Sequence, residues 1–136
     1  MTKRFLTLLL FLGLGICINT YAQSQSFLIL GDIHYDLLEN HDMEWLRKKP
    51  DDLRQVTTEY TQFTKKNWPA FSKQLRNKVK SYKPEIKAIL QLGDISEGLA
   101  GSEQKAEQMA QSVVKAVEAV GMSIPCIITQ GNHDKT

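Results

Sequence analysis

Phe27-Leu28-Ile29-Leu30-Gly31-Asp32-Ile33-His34 packs a short apolar run, a glycine and two metal-ligand side chains into eight residues. A continuous apolar run of this length, halted by glycine, reads as a buried strand. The same arrangement recurs twice. Ile86 to Leu92 ends in Gly93-Asp94, and Ile124 to Thr129 is followed by Gly131-Asn132-His133-Asp134. Each run is too short for a helix and ends where the chain must turn.

Helical spacing fills the intervals. From Asp51 to about Lys66, Leu53, Val56, Tyr60 and Phe63 recur three, four and three residues apart. Pro69 suits the first turn of a second helix. Phe71, Leu75, Val79 and Tyr82 supply its apolar face, and Pro84 closes it. A third helix is predicted from a Ser102 cap to about Val120, with Gly121 as its stop. Its apolar face is Ala106, Met109, Ala110, Val113, Val117 and Val120. Asp32 to Pro50 reads as a polar connection. The order β-α-α-β-α-β asks for an α/β fold with parallel strands and right-handed helical crossovers.

Parallel strands run the same way, so the three glycine-polar ends lie along one edge, where open α/β sheets place their sites. Asp32 and His34 are two residues apart and can point the same way from an extended segment. A strand-Gly-Asp alone is ordinary turn chemistry, a single Asp-x-His means little, and an isolated Asn132 is a turn residue. Their coincidence at three strand ends points to one shared site.

In that order, Asp32-x-His34, Gly93-Asp94 and Gly131-Asn132-His133-Asp134 resemble the first three motifs of the calcineurin-like metallophosphoesterases. The resemblance spans Phe27 to Asp134. It implies the N-terminal part of a four-layer αββα sandwich that hydrolyses phosphoric esters with two metal ions. It implies Asp32 and His34 as ligands of the first metal, Asp94 as a bridge, and the Asn132 amide oxygen on the second metal. His133 would lie beside the leaving oxygen as general acid or charge stabiliser, so Asn132 and His133 would both touch substrate. Many members carry an acid three residues after the bridging Asp that orients this histidine. Glu97 holds that place here, one methylene longer.

The donor set agrees on independent grounds. Mixed carboxylate, imidazole and amide ligands favour two divalent or trivalent ions such as Mn, Fe or Zn over Mg or Ca. A binuclear centre needs no nucleophilic side chain, and the chain has neither a G-x-S-x-G elbow nor a Walker loop. Two sub-families are disfavoured. Gly98 stands where many protein Ser/Thr phosphatases place Arg, and Glu97 where purple acid phosphatases place a charge-transfer Tyr. The 62 positions from Asp32 to Asp94 make room for a pocket-shaping insert but name no substrate.

Family members draw further histidines from later Gly-His and Gly-His-x-His segments. Here the histidines are His34, His41 and His133, and the sequence given stops at Thr136. The expectation is a domain at 23–136 that is incomplete at its C-terminus. His41, within Glu39-Asn40-His41-Asp42, reads as a solvated loop residue, a substitute-ligand role being the alternative. A rival reading is a truncated non-catalytic fragment that binds metal or a partner.

The N-terminus reads as a removable leader. Lys3 and Arg4 precede an apolar stretch from Phe5 to Ile18, 14 residues long, and Thr20 and Ala22 suit a small-residue cleavage site. A spanning helix needs about 20 apolar residues, and bulky Ile16 argues against lipidation of Cys17. Residues 1–22 are therefore expected to be a secretory signal peptide, giving a periplasmic or extracellular protein with no membrane span once the leader is removed. Cys126 would then be the sole thiol, a small buried hydrophobe.

At 136 residues, 42% of them hydrophobic, the chain suits one globular domain. It carries 17 Lys+Arg and 15 Asp+Glu, and loss of Lys3 and Arg4 leaves 15 of each. A neutral chain lacks the global charge expected of a dedicated nucleic-acid binder. The basic run Lys65–Lys87, with Trp68 and Tyr82 in it, reads as a solvated helix face, an anionic surface partner being the alternative. The expected partner is a phosphoester.

Overall fold

The computed structural model describes residues 24–135; the expected leader at 1–22 lies outside them. Three parallel strands, β1 (Ser26–Leu30), β2 (Ile86–Gln91) and β3 (Cys126–Ile128), form one sheet in the order β1-β2-β3. The register aligns Leu28 with Ile89 and Cys126, and Ile29 with Leu90 and Ile127. Paired residues share a face, so the sheet separates two apolar rows. Leu28, Ile89 and Cys126 pack with Leu75, Val79 and Val120, and Ile89 is completely buried. That burial stabilises by about 1.5–3 kcal/mol relative to exposure. On the opposite face Phe27, Ile29 and Ile127 are exposed. Half of the β1 run, expected to be buried, is thus open among the described residues.

The stretch expected to be a polar connection holds a 3-10 turn (Leu38–Asn40) and α1 (Met43–Leu46). Asp42 starts α1, its Oδ1 accepting from the amides of Glu44 and Trp45 at 3.0 Å each. Leu46 is wholly buried. No long apolar period announced this segment, because a four-residue helix has room for only one inward residue.

The two helices expected between β1 and β2 are one continuous run: α2 (Pro50–Gln55), a π turn (Val56–Tyr60) and α3 (Thr61–Ser81). Pro69 sits inside α3, not at a start. Its missing N–H leaves one carbonyl unserved, tolerable here because Lys65, Lys66 and Pro69 all face solvent. The π turn adds a residue to one turn, and hydroxyls saturate the carbonyls it disturbs. Thr57 Oγ1 donates to Leu53 O at 2.7 Å, Thr58 Oγ1 to Arg54 O at 2.7 Å, and Thr61 Oγ1 to Val56 O at 2.9 Å.

That extra residue changes which side chains point inward. The expected stripe Leu53, Val56, Tyr60, Phe63 breaks after Val56; Thr61 and Thr64 become the buried positions and Phe63 is 65% exposed. Beyond the turn the inward set continues through Trp68, Phe71, Leu75 and Val79.

The helix α4 (Glu103–Ala119) begins at Ser102, whose Oγ accepts from Lys105 N, and Gly121 follows with φ 67°. Met109, Val113, Ala116 and Val120 are buried, whereas Ala110 is exposed. The inward stripe is narrower than the expected one. Cys126 is half-buried, and burial pushes its thiol pKa up. No described helix is long and apolar enough to cross a membrane.

Candidate metal centre

All three strands deliver their carboxyl ends to one edge of the sheet. His34 and Asp94 leave it in the left-handed region, with φ 47° and 50°. Such a backbone costs a non-glycine residue of the order of 1–3 kcal/mol. It is held in place from outside: His34 N donates to Asp94 O at 3.0 Å and Tyr35 N to Ile95 O at 2.8 Å. The two turns are thereby stitched together, and their side chains converge.

Two overlapping groups of ligand-type side chains result among the described residues. Asp32, His34 and Asp94 form one, and His34, Glu97 and His133 the other, each with its ligand atoms within 4.8 Å of one another. Asn132 is exposed on the same edge, one residue before His133. The His34 and His133 rings meet edge to face, centroids 4.8 Å apart.

Glu97 reaches its neighbours in an unexpected way. Its main-chain carbonyl lies 2.8 Å from His133 Nδ1, while its carboxylate Oε1 is 3.5 Å from that nitrogen. Oε2 instead lies 2.9 Å from His34 Nδ1. The carbonyl, not the carboxylate, orients His133 most closely. Burial pushes the Glu97 pKa up, against the pull of His34 and His133. His133 is raised by its bond to the Glu97 carbonyl; burial opposes this, and the nearby Glu97, Asp94 and Asp134 carboxylates add to it.

The residues suit a metal on an observation of their own. His34 Nδ1 is buried yet makes no hydrogen bond. The carboxylate beside it is that of Glu97, with Oε2 at 2.9 Å. A buried imidazole nitrogen backed by a carboxylate is the arrangement found behind a metal-ligating histidine, and it leaves the other ring nitrogen, Nε2, for an ion.

The sequence model of the calcineurin-like phosphoesterases matches residues 26–136. The chain belongs to that family. Membership suggests a metal-dependent hydrolase of phosphoric esters, with divalent metals as the family's usual ions. No curated protein and no solved structure matches the chain.

In this phosphoesterase domain two backbone contacts leave no room for a side chain. A Cβ on Gly131 would overlap the Asp94 amide nitrogen, and one on Gly98 would sit 2.7 Å from His133 O. Gly98 also has φ 79°.

His41 is the clearest correction. It is not solvated: only 2% of it is exposed. Nε2 lies 2.8 Å from Asp36 Oδ1 and Nδ1 lies 3.0 Å from Leu99 O. Both ring nitrogens are therefore engaged, and neither is free to serve as a metal ligand. Burial alone would lower the His41 pKa, but the bonds to Asp36 and Leu99 outweigh it and the net direction is up. Burial likewise raises Asp36, its bond to His41 opposing.

Two acidic residues acquire structural tasks that the sequence reading left unassigned. Asp134 accepts from Ser96 N at 2.9 Å, Ser96 Oγ at 2.8 Å and Gly131 N at 2.9 Å, tying the second strand end to the third. An acid just after a glycine turn was the available signal. Asp36 anchors His41, and its own amide donates to Thr64 Oγ1 at 2.9 Å. No local pattern announces a partner 28 residues away.

A cavity of about 680 Å³ opens beside the cluster. Asp32, His34, Glu97 and His133 line it together with Tyr60, Phe63 and Trp68.

Proposed function

We propose that this chain is an exported metal-dependent hydrolase of phosphoric esters working with two ions. Asp32, His34, Asp94 and the Asn132 amide oxygen would hold them. The observation that carries this reading is the convergence of Asp32, His34 and Asp94 within 4.8 Å in a chain of this family. Mn, Fe or Zn suits the mixed donors best. When bound, two such ions supply Lewis acidity and activate the nucleophile.

The chain's own contribution centres on His133. A carbonyl oxygen only accepts, so the bond to Glu97 O places a proton on Nδ1. Nε2 is then the nitrogen left for substrate. A proton held on Nε2 can be given to a departing oxygen. Asn132, next in line, offers its side chain to a phosphoryl oxygen.

The three-stranded sheet is proposed as one of two in a four-layer αββα sandwich, the row Phe27, Ile29 and Ile127 facing the second. The same row favours the rival reading, a non-catalytic metal- or partner-binding chain, because exposed apolar patches mark interaction surfaces. Export rests on the leader at residues 1–22.

Asp94→Asn decides between the two. Asparagine keeps an oxygen to accept from His133 N, now bonded to Asp94 Oδ1 at 2.8 Å, so the fold should survive. Loss of Mn-dependent phosphoester hydrolysis with an unchanged circular dichroism spectrum supports the enzyme. Hydrolysis retained in the variant, or absent from the wild-type protein expressed from its full reading frame, overturns it.

A further inference from the structure

The cavity beside the metal cluster has a wall that the chemistry of the cluster does not require. Tyr60, Phe63, Asn67 and Trp68 line it, all from the π turn or the start of α3. Phe63 is the oddest of these, a large apolar side chain 65% exposed a short way from carboxylates and imidazoles. In an unbroken α-helix the spacing Leu53, Val56, Tyr60, Phe63 would bury it. The π turn at Val56–Tyr60 adds one residue and turns Tyr60 and Phe63 off the core, leaving Thr61 and Thr64 inward. Such turns often occur at functional sites. This one leaves Phe63 exposed and Tyr60 half-buried, both lining the cavity.

The lining also lacks something. Among the described residues it contains no lysine and no arginine, although α3 carries several. A second phosphate placed there would be desolvated without a counter-charge, which is costly. A flat, uncharged ring would instead gain edge-to-face or offset contacts with Tyr60, Phe63 and Trp68. Trp68 is already braced for this, in contact with Tyr35 at 4.9 Å and Phe71 at 5.6 Å between ring centroids. Asn67, exposed beside it, offers both a donor and an acceptor to a polar ring edge.

We infer that the π turn builds a subsite for a planar, uncharged aromatic ring on the organic part of the ester, leaving the substrate a single phosphorus centre. This rests on the phosphoesterase reading, and it adds the class of alcohol. Tyr60 and Phe63 are its walls and Trp68 its floor.

The test uses the Mn-loaded protein and phosphonates, which bind without being cleaved. Isothermal titration should show benzylphosphonate binding about tenfold tighter than ethylphosphonate, in keeping with one stacked ring. Cyclohexylmethylphosphonate, equally apolar but not flat, should fall well short of benzylphosphonate. Phe63→Leu keeps an apolar side chain at an exposed position and should fold; it should collapse the benzyl-to-ethyl ratio towards one, and Tyr60→Leu should act the same way. A ratio unchanged in both variants overturns the subsite, as does equal binding of the cyclohexyl and benzyl compounds or no binding of any phosphonate. Turnover of benzyl phosphate separates the two levels. A Phe63-dependent ratio without hydrolysis refutes the enzyme and leaves the ring site standing. Hydrolysis with no ring preference does the reverse.

Discussion

Glu97 reaches His133 most closely through its main chain: the carbonyl lies 2.8 Å from His133 Nδ1 and carboxylate Oε1 3.5 Å from it. The other carboxylate oxygen, Oε2, faces His34 at 2.9 Å from Nδ1. One residue thus positions the proposed proton donor with its backbone and a proposed ligand with its side chain. Removing the charge should separate the two tasks. Glu97→Gln is expected to keep His133 in place and lower Mn affinity about 10–100-fold, the usual loss when a group behind a ligand is altered. Titration calorimetry measures the affinity, and an unchanged value would show that the carboxylate does not serve the metal.

Asp134 should matter to stability without touching substrate. Burial acts to raise its pKa, but the amides of Ser96 and Gly131 and the Ser96 hydroxyl outweigh that and hold it below the ordinary carboxylate range. A depressed carboxylate stabilises the fold above its unfolded pKa of about 3.9, and that contribution disappears as pH falls through the folded value. Asp134→Ala is expected to cost about 1–3 kcal/mol through its orphaned donors. Urea melts between pH 3 and 7, on the order of the carboxylate range, should show a weaker acid dependence in the variant.

The buried Asp36–His41 pair acts at the other end of the pH scale. Both side chains are fully enclosed, with Glu97 the other acid acting on His41. His41 is raised in the folded state, so its contribution is complete below the unfolded histidine value of about 6.5 and is lost as pH rises through the folded one. Asp36, also raised, pulls in the same direction at lower pH. His41→Ala leaves a buried carboxylate unpaired and should cost about 3 kcal/mol. Chemical denaturation at neutral and alkaline pH checks both statements, and a variant as stable as wild type would contradict them.

Gly98 has no tolerance for a side chain. A Cβ there meets His133 O at 2.7 Å on a backbone with φ 79°. Gly98→Ala should destabilise by about 2 kcal/mol or more and weaken metal binding by moving His133. Parallel urea melts and Mn titrations would show both losses together.

Strand ends, strand direction and the α4 cap were legible in the chain itself. A short apolar run stopped by glycine has few other uses, and Ser102 and Gly121 bracket α4 by local chemistry alone. The gathering of Asp32, His34 and Asp94 followed from the same logic, since parallel strands must share an edge. What the sequence could not show depended on partners far along the chain or on a one-residue shift. His41 looks solvated among Glu39, Asn40 and Asp42, and only the approach of Leu99, 58 residues later, buries it. Leu53, Val56, Tyr60 and Phe63 fit an α-helical stripe by count, but a single π turn moves the last two off the core. Periodicity reports the average turn of a helix and is blind to one added residue. Tertiary packing, with threonine hydroxyls serving the displaced carbonyls, decided that Tyr60 and Phe63 would face the cavity.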